Sequence, residues 1–442
     1  MALIGHCQDG NLAALQAYCE REHVTAAQIC ESYALQIACE NGHLEVARWL
    51  QQTFQLTTAD ARGNNNWALR GTCERGHLEV ARWLQQTFQL TARDVRANNN
   101  EVLRSTCECG HLEVARWLQQ TFQLTAADVR VDDNYALRWA CSEGHLDVAR
   151  WMQQTFQLTA TDARAQGNYA LREACATGHL EIARWLQQTF QLTARDARTW
   201  GNWALRGACE GGHLEVARWL QQTFQLTAAD ARAEDNYALC WACLEGHLEV
   251  ARWLQQTFQL TAADARARDN YALREACMNG YLDIARWLQQ TFQLTATDVR
   301  MYNNEALRWA CKAGHLEVLR WMQRTFHLTA ADARAENNQA LRWAYERGHL
   351  EVLRWLQRTW GIPPDTLADA SSEPSDTACA AYLQSLRTLR WSPRAHADFP
   401  LHARRRALLL LLVCQRLVSE PGGLPYLPPE LWHHLLSYLP AW

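Results

Sequence analysis

The chain has 442 residues, of which 48% are hydrophobic and 20% are charged, and its formal net charge is −4. This composition is typical of a folded chain, and the slight acidity argues against a protein that coats nucleic acid. The first thirty residues carry charges and no apolar core, and no apolar run is long enough to span a bilayer, so we expect no secretory signal and no membrane span. We therefore predict a cytoplasmic or nuclear protein in which the 16 cysteines are reduced.

Most of the chain is a repeat of 34 residues. The dipeptide Gly-His, or Gly-Tyr in one copy, recurs at this spacing from Gly42 to Gly348, and a degenerate copy surrounds Cys7 and Gly10. Such a period is typical of a solenoid. We predict an all-α fold of about ten helix-turn-helix units, with a degenerate N-terminal capping repeat at 1–31, the repeat array at 32–360, a linker at 361–377 and a small helical C-terminal segment at 378–442.

Each unit begins with a short first helix. Asn134 is predicted as its N-cap, because Asn is favoured there and recurs nine times from Asn66 to Asn338. Apolar residues then follow with helical spacing up to Cys141, and Gly144 ends the helix as the residue after its C-cap.

A second helix and a helical turn complete the unit. The second helix is predicted from about 145 to 156, and its apolar residues lie on two sides, as expected in a stack. Its recurring Trp is predicted as a core residue between repeats. The spacing Thr159-x-x-Asp162 is a capping box, which predicts a short third helical turn and recurs along the chain.

The repeated stretch Ala-Leu-Arg-x-Ala-Cys-x-x-Gly-His-Leu-Glu-Val-Ala-Arg-Trp-Leu resembles the ankyrin repeat core over roughly residues 1–360. Its period is 34 rather than 33, and Leu-Thr-x-x-Asp-Ala-Arg replaces the usual hairpin finger, so we expect a helical turn instead of a β-hairpin. Such Trp- and Arg-rich arrays look most like those of large DNA viruses and protists, which would place the protein in the host cell cytoplasm. The resemblance implies a scaffold that binds a protein target on its concave face.

The first helix varies between copies at the positions nine, five and one residues before the glycine. These positions form one stripe of the helix. We call the stripe, together with the three residues before the recurring Asn, the variable surface. Trp and Tyr dominate interface hot spots, so the variable surface is a predicted partner-binding face, and neutral drift at exposed positions is the alternative. The predicted partner-binding residues are Tyr135, Trp139, Trp200, Trp203, Tyr237, Trp241, Glu275, Tyr302, Trp309 and Trp343.

The sequence predicts no cofactor, no metal site and no enzyme. Each repeat offers a Cys and a His, such as Cys141 and His145, but both suit structural positions of a repeat. Cys240 and Cys243 form a single Cys-x-x-Cys motif, which supplies only two of the four ligands that a structural zinc site needs. No phosphate-binding loop or nucleophile elbow is present.

The end of the chain carries a second resemblance. The stretch Leu-Pro-Pro-Glu-Leu from 427, followed by spaced leucines, resembles the opening helix of an F-box, as in the truncated F-box-like ends of poxvirus ankyrin proteins. A SOCS box is the other resemblance, through Leu410, Cys414 and Val418. Both imply docking to a cullin–RING ubiquitin ligase through an F-box adaptor or an elongin, and the alternative is a helical cap on the solenoid. The implied docking residues are Leu427, Pro428, Glu430, Leu431, Leu435, Leu436 and Leu439.

Overall fold

The computed structural model describes residues 2–361 and 378–381 of the chain. Within these ranges the regular elements are helices and none is a strand, as the repeat pattern predicts. The chain divides into two compact units, Met1–Ala231 and Arg232–Trp442, and both contain copies of the same repeat.

A repeat consists of a first helix, a second helix and a short helix. The N-terminal copy already has all three, Ala2–Gln8, Leu12–Arg21 and Ala26–Glu31, so the degenerate repeat contains the same three helices as the others. The later first helices are Ala34–Glu40, Gly63–Glu74, Ala97–Glu108, Val131–Ser142, Ala165–Ala176, Thr199–Glu210, Ala233–Leu244, Ala267–Met278, Met301–Ala313 and Ala335–Glu346. The second helices are Leu44–Phe54, Leu78–Phe88, Leu112–Phe122, Leu146–Phe156, Leu180–Phe190, Leu214–Phe224, Leu248–Phe258, Leu282–Phe292, Leu316–Phe326 and Leu350–Trp360. The short helices are Thr58–Ala61, Ala92–Val95, Ala126–Val129, Ala160–Ala163, Ala194–Ala197, Ala228–Ala231, Ala262–Ala265, Ala296–Val299 and Ala330–Ala333.

Small and apolar side chains of the first helices form the core of each unit. Within a unit, the first helix of one repeat packs against the first helix of the next. Leu137, Ala140 and Cys141 are fully buried there, like the residues at the matching positions of other repeats. Burial raises the pKa of the Cys141 thiol well above its usual range, so this cysteine serves as a small apolar residue and not as a reactive thiolate.

The short helix confirms the predicted third turn. The Thr159 backbone N–H donates to Asp162 at 2.8 Å, and the Thr159 hydroxyl donates to the same carboxylate at 3.1 Å. This capping box starts the helix Ala160–Ala163 in the place of a β-hairpin.

The tryptophan of the second helix is less buried than we predicted. Trp151 is buried, but the other nine copies are only partly buried. Each ring packs edge-on against an aromatic residue five positions later, as Trp185 does against Phe190 with 5.5 Å between ring centroids. The tryptophan therefore also covers the end of its own helix and is not purely a core residue between repeats.

The outer face of the second helix is solvated. Glu113 and Arg116 form an i, i+3 ion pair of 3.2 Å in which both side chains are exposed, and the same pair recurs in other repeats. Exposed pairs of this kind contribute little stability, typically about 0.3–0.5 kcal/mol.

Candidate functional site

From residue 64 onward, a left-handed turn of three residues lies near the start of each first helix, inside the bounds given above and before its right-handed part. In the turn at 98–100, φ is 52°, 57° and 57°. Most side chains disfavour this conformation, whereas Asn, Asp and Gly tolerate it. The second residue of the turn is accordingly Asn, Asp or Gly in all nine copies, and the third is always Asn. The N-cap prediction for this Asn is wrong, because its side-chain oxygen, such as Oδ1 of Asn100, accepts no hydrogen bond from the described residues.

The buried Asn side chain also joins neighbouring repeats. The Asn100 side-chain amide donates to the backbone carbonyl of Asp128 at 3.2 Å, and Asn66 makes the same contact to Asp94 at 3.3 Å. An N-cap would instead accept a hydrogen bond from the helix backbone. The contact gives a physical reason for the constant Asn.

The first residue of the turn varies and is exposed where it is aromatic. Trp200 is 64% exposed and Tyr302 is 53% exposed, although both have a positive φ that is unfavourable for bulky residues. Backbone strain at an exposed position marks a candidate functional residue. Both residues belong to the predicted partner-binding set.

The arginine of Ala-Leu-Arg holds the left-handed turn. Arg206 donates to the backbone carbonyl of Trp200 at 2.8 Å, and Arg308 donates to that of Tyr302 at 2.7 Å. Hydrogen bonds from a charged donor are stronger than neutral ones, so this arginine offsets part of the turn's strain. The sequence prediction missed this role, although the recurring Ala-Leu-Arg is its signal.

One of the nine repeats with this turn lacks the arginine, and an arginine of the following repeat replaces it. Cys240 stands at the position, and Arg268 of the following repeat donates to the backbone carbonyl of Glu234, the first residue of that turn, at 3.1 Å. The Arg268 guanidinium also lies 5.9 Å from the Tyr237 ring centroid. The turn is therefore anchored even where the repeat departs from its pattern.

In the N-terminal unit, predicted site residues form two aromatic clusters. Trp139 packs between Tyr135 and Tyr169, at 5.6 and 6.0 Å between ring centroids. Burial and a 2.9 Å hydrogen bond that Tyr135 donates to Glu108 together raise the pKa of Tyr135 to about 12. All three rings are half-buried, so they offer both a fixed position and an accessible edge.

The second cluster of this unit surrounds an arginine. The Arg172 guanidinium lies 4.4 Å from the Trp200 ring centroid and 5.7 Å from that of Trp203. A cation over two indoles is a favourable arrangement, typically contributing about 0.5–1 kcal/mol per exposed contact. The predicted residues Trp200 and Trp203 are thus brought together.

In the C-terminal unit, the predicted residues again lie in groups. Tyr237 stacks on Trp241 with 4.9 Å between centroids, and Trp309 lies 5.1 Å from Trp343. Tyr302 donates a hydrogen bond to the Asp269 carboxylate, which raises the Tyr302 pKa. Apart from exposed Tyr302, these residues are half-buried.

Glu275 is a half-buried carboxylate on the same surface. Burial raises its pKa, the adjacent Arg274 lowers it, and the Glu305 carboxylate raises it further. Arg274 pairs with Glu305 at 3.0 Å. Within residues 2–361 and 378–381, no hydrogen bond or ion pair satisfies Glu275.

A series of ion pairs joins the short helices of successive repeats. In each pair, the arginine that follows one short helix contacts the aspartate of the next short helix. Arg164 donates two hydrogen bonds, of 2.7 and 3.0 Å, to Asp196, which also accepts from the backbone and hydroxyl of Thr193. Burial alone would raise the pKa of Asp196, but these bonds outweigh it and lower the pKa to about 2. We call the series the aspartate ladder; its pairs are Arg62–Asp94, Arg96–Asp128, Arg130–Asp162, Arg164–Asp196, Arg198–Asp230, Arg232–Asp264, Arg266–Asp298 and Arg300–Asp332.

The Gly-His dipeptide also serves contacts between repeats. Gly178 has φ of +84°, and a Cβ there would lie 2.6 Å from the ring of His213 in the next repeat. His349 shows the polar contact of this ring, with 2.8 Å between its Nε2 and the backbone oxygen of Lys312. In the copy with tyrosine, the Tyr281 ring covers Gly246 in the same way. These contacts give the recurring His a structural role.

No group of three or more potential metal ligands is found in the part of the chain that the structure describes. No helix among those residues is both long and apolar enough to cross a bilayer. The predicted ligase-docking residues, from Leu427 to Leu439, and nearly all of the predicted linker lie outside the described residues.

Comparison with known families agrees with the repeat geometry. The model for ankyrin repeats (3 copies) matches residues 103–196, 205–298 and 273–366, which together cover more than half of the chain. A comparison with curated proteins finds no match. Proteins of this repeat class are generally non-enzymatic scaffolds that bind other proteins. With helix pairs at a 34-residue period and this family match, the chain belongs to the ankyrin repeat family.

Proposed function

We propose that the chain binds a partner protein through the variable surface of its ankyrin array. The observation that supports this is the concentration of aromatic side chains at exposed and half-buried positions of a surface that otherwise varies between repeats. Neutral drift at exposed positions would more often place small or charged residues there. The family implies that this surface faces a protein target on the concave side.

The test uses full-length chain as bait, followed by affinity measurements with the captured protein. We expect the double substitution Trp139→Ala and Trp241→Ala to weaken binding by about 2–4 kcal/mol, because large aromatic residues carry much of an interface's energy. The matched control replaces the exposed pair Glu181 and Arg184 of a second helix by Ala. Equal affinity of the aromatic variant and the control would rule out this surface, provided that circular dichroism shows both to be folded.

For the C-terminal segment we propose recruitment of a cullin–RING ubiquitin ligase, with the array as substrate receptor. The Leu-Pro-Pro-Glu-Leu stretch and its resemblance to F-box and SOCS-box ends support this proposal. The alternative is a plain scaffold whose C-terminal helices only cap the solenoid.

Pull-down of an F-box adaptor or of elongins distinguishes the two. We expect Leu431→Asp to abolish recruitment while the array still binds its target, because the substitution replaces one of the spaced leucines that carry the resemblance by a charge. His433→Asp, at a polar position of the same segment, is the control. If the wild-type chain recruits no cullin complex, or Leu431→Asp recruits it equally well, the plain scaffold remains.

A further inference from the structure

Two adjoining clefts cross the variable surface of the C-terminal unit. One cleft, of about 260 Å³, is lined by Glu275, Glu305 and Arg274 among others, and we call it the glutamate cleft. The other, of about 470 Å³, is lined by Lys312 and Arg347 among others, and we call it the lysine cleft. Met278 and Trp309 line both, so the two clefts are adjacent.

The glutamate cleft carries an unsatisfied negative charge. Glu305 is neutralised by its ion pair with Arg274, whereas the half-buried Glu275 carboxylate has no such partner among the described residues. A half-buried carboxylate gains most from a charged donor, since hydrogen bonds to charged groups are about twice as strong as neutral ones. A basic side chain from outside would complete this cleft.

The lysine cleft carries the opposite charge. The Lys312 ammonium lies 3.8 Å from the Trp309 ring centroid and 4.8 Å from that of Trp343. Neither Lys312 nor the exposed Arg347 has an ion pair with a described residue, and no described Asp or Glu lines this cleft. Burial and the neighbouring His349 lower the pKa of His315, so His315 adds no charge near neutral pH.

We infer that these clefts bind one extended peptide segment of a partner protein, with a basic side chain on Glu275, an apolar side chain on Trp309 and an acidic side chain on Lys312 and Arg347. The inference rests on the proposed function and specifies the chemistry of the partner. Charge complementarity of this kind sets the orientation of a bound segment and rejects the reverse order.

The positions of the charged residues in successive repeats set the separation between the basic and acidic residues of the peptide. Glu275 belongs to one repeat, Trp309 and Lys312 to the next, and Arg347 to the one after. Packed helices lie about 8–10 Å apart, and an extended chain advances about 3.3 Å per residue. The basic and acidic side chains should therefore be about three to six residues apart.

The test is selection of displayed random peptides on the full-length chain, followed by affinity measurements with the synthetic peptides. We expect enrichment of sequences with a basic, an apolar and an acidic residue in a fixed order. Lys312→Glu should weaken binding at least tenfold, and exchanging the peptide's acidic residue for Lys should restore it. Glu275→Lys should be rescued in the same way by an acidic residue at the basic position.

The control variants also reverse one positive and one negative charge. Both lie on the second helix that follows Lys312 and precedes Arg347 in the sequence. Arg320→Glu and Glu317→Lys change an exposed ion pair and should leave peptide affinity unchanged. The inference is overturned if no peptide is enriched, if the enriched peptides share no charge order, or if Lys312→Glu and Glu275→Lys bind them like the wild type. The proposed function survives that result if partner binding still depends on Trp139 or Trp241, and it falls only if those tryptophans are also dispensable.

Discussion

The aspartate ladder and the variable surface belong to the same repeats but follow different rules. In the ladder, an aspartate such as Asp196 accepts four hydrogen bonds from constant residues. The shortest Arg–Asp distance is 2.6 or 2.7 Å in all eight copies. On the variable surface, residues such as Trp139 and Glu275 differ between copies and keep accessible or unsatisfied groups. Stability is thus placed where the sequence is constant, and the positions left free to vary are those that can contact a partner.

Acidification should produce the largest difference between the two regions. The ladder aspartates have lowered pKa values, so their stabilisation is present above the unfolded value of 3.8 and is lost as the pH falls towards about 2, the value for Asp196. The loss should therefore grow as the pH falls below 3.8, because the unfolded chain then binds protons that the folded ladder does not. Glu173 and Glu275 have raised pKa values because of burial, so their protonation stabilises the fold as the pH falls.

Urea unfolding at pH 7, 4 and 2.5, followed by circular dichroism, measures the acid effect. A midpoint that stays constant down to pH 2.5 would show that the ladder adds no net stability.

Replacing one ladder residue should be the next largest effect. Asp196→Ala removes the cap of a short helix and both bonds from Arg164, so we expect a loss of about 2–4 kcal/mol. Glu215→Ala breaks only an exposed pair with Arg218 and should cost less than about 0.5 kcal/mol. Hydrogen exchange should locate the loss near residues 160–200, and equal losses in the two variants would contradict the ladder's role.

The glycine of Gly-His belongs to neither region, and its replacement should have a moderate effect on stability. Gly178→Ala places a Cβ at a positive φ and 2.6 Å from the His213 ring, so we expect a loss of about 2 kcal/mol. Combining it with His213→Ala should recover part of that loss, because the clash is relieved. Urea midpoints of the two variants measure this, and additive losses would show that the ring does not restrict this glycine.

The smallest effect on folding is expected on the variable surface. Trp200→Ala removes an exposed ring and its contact with Arg172, which should cost less than about 1 kcal/mol of stability. Thermal unfolding measures this cost. The bond from Arg206 to the Trp200 backbone is unaffected by the change of side chain. A loss as large as that of Asp196→Ala would show that Trp200 is part of the frame and not of the binding surface.

The period and spacing of the repeat were sufficient to predict the helices, the capping boxes and the absence of a hairpin from the described repeats. The left-handed turn was missed because Asn is favoured both at an N-cap and in this conformation, and only the Asn, Asp or Gly before it separates the two. The aspartate ladder was missed because Arg164 and Asp196 lie in different repeats, at a separation that no local pattern reveals. The charges of Glu275 and Lys312 were visible in the sequence, but the adjoining clefts that they line depend on how the repeats pack.

The register of the ladder also affects how such a chain changes length over evolutionary time. Each repeat offers an arginine to the next and an aspartate to the previous one, so every junction within the ladder has the same two ends. Recombination between two equivalent positions would delete or duplicate a multiple of 34 residues and rejoin an arginine with an aspartate. Before the first pair of the ladder, Asp60 instead accepts a hydrogen bond from the Cys30 thiol at 3.2 Å. Beyond the last pair, Arg334 is exposed and has no ladder partner among the described residues. Gene rearrangement can therefore enlarge or shrink the proposed binding surface in whole repeats while the ion pairs between repeats are kept.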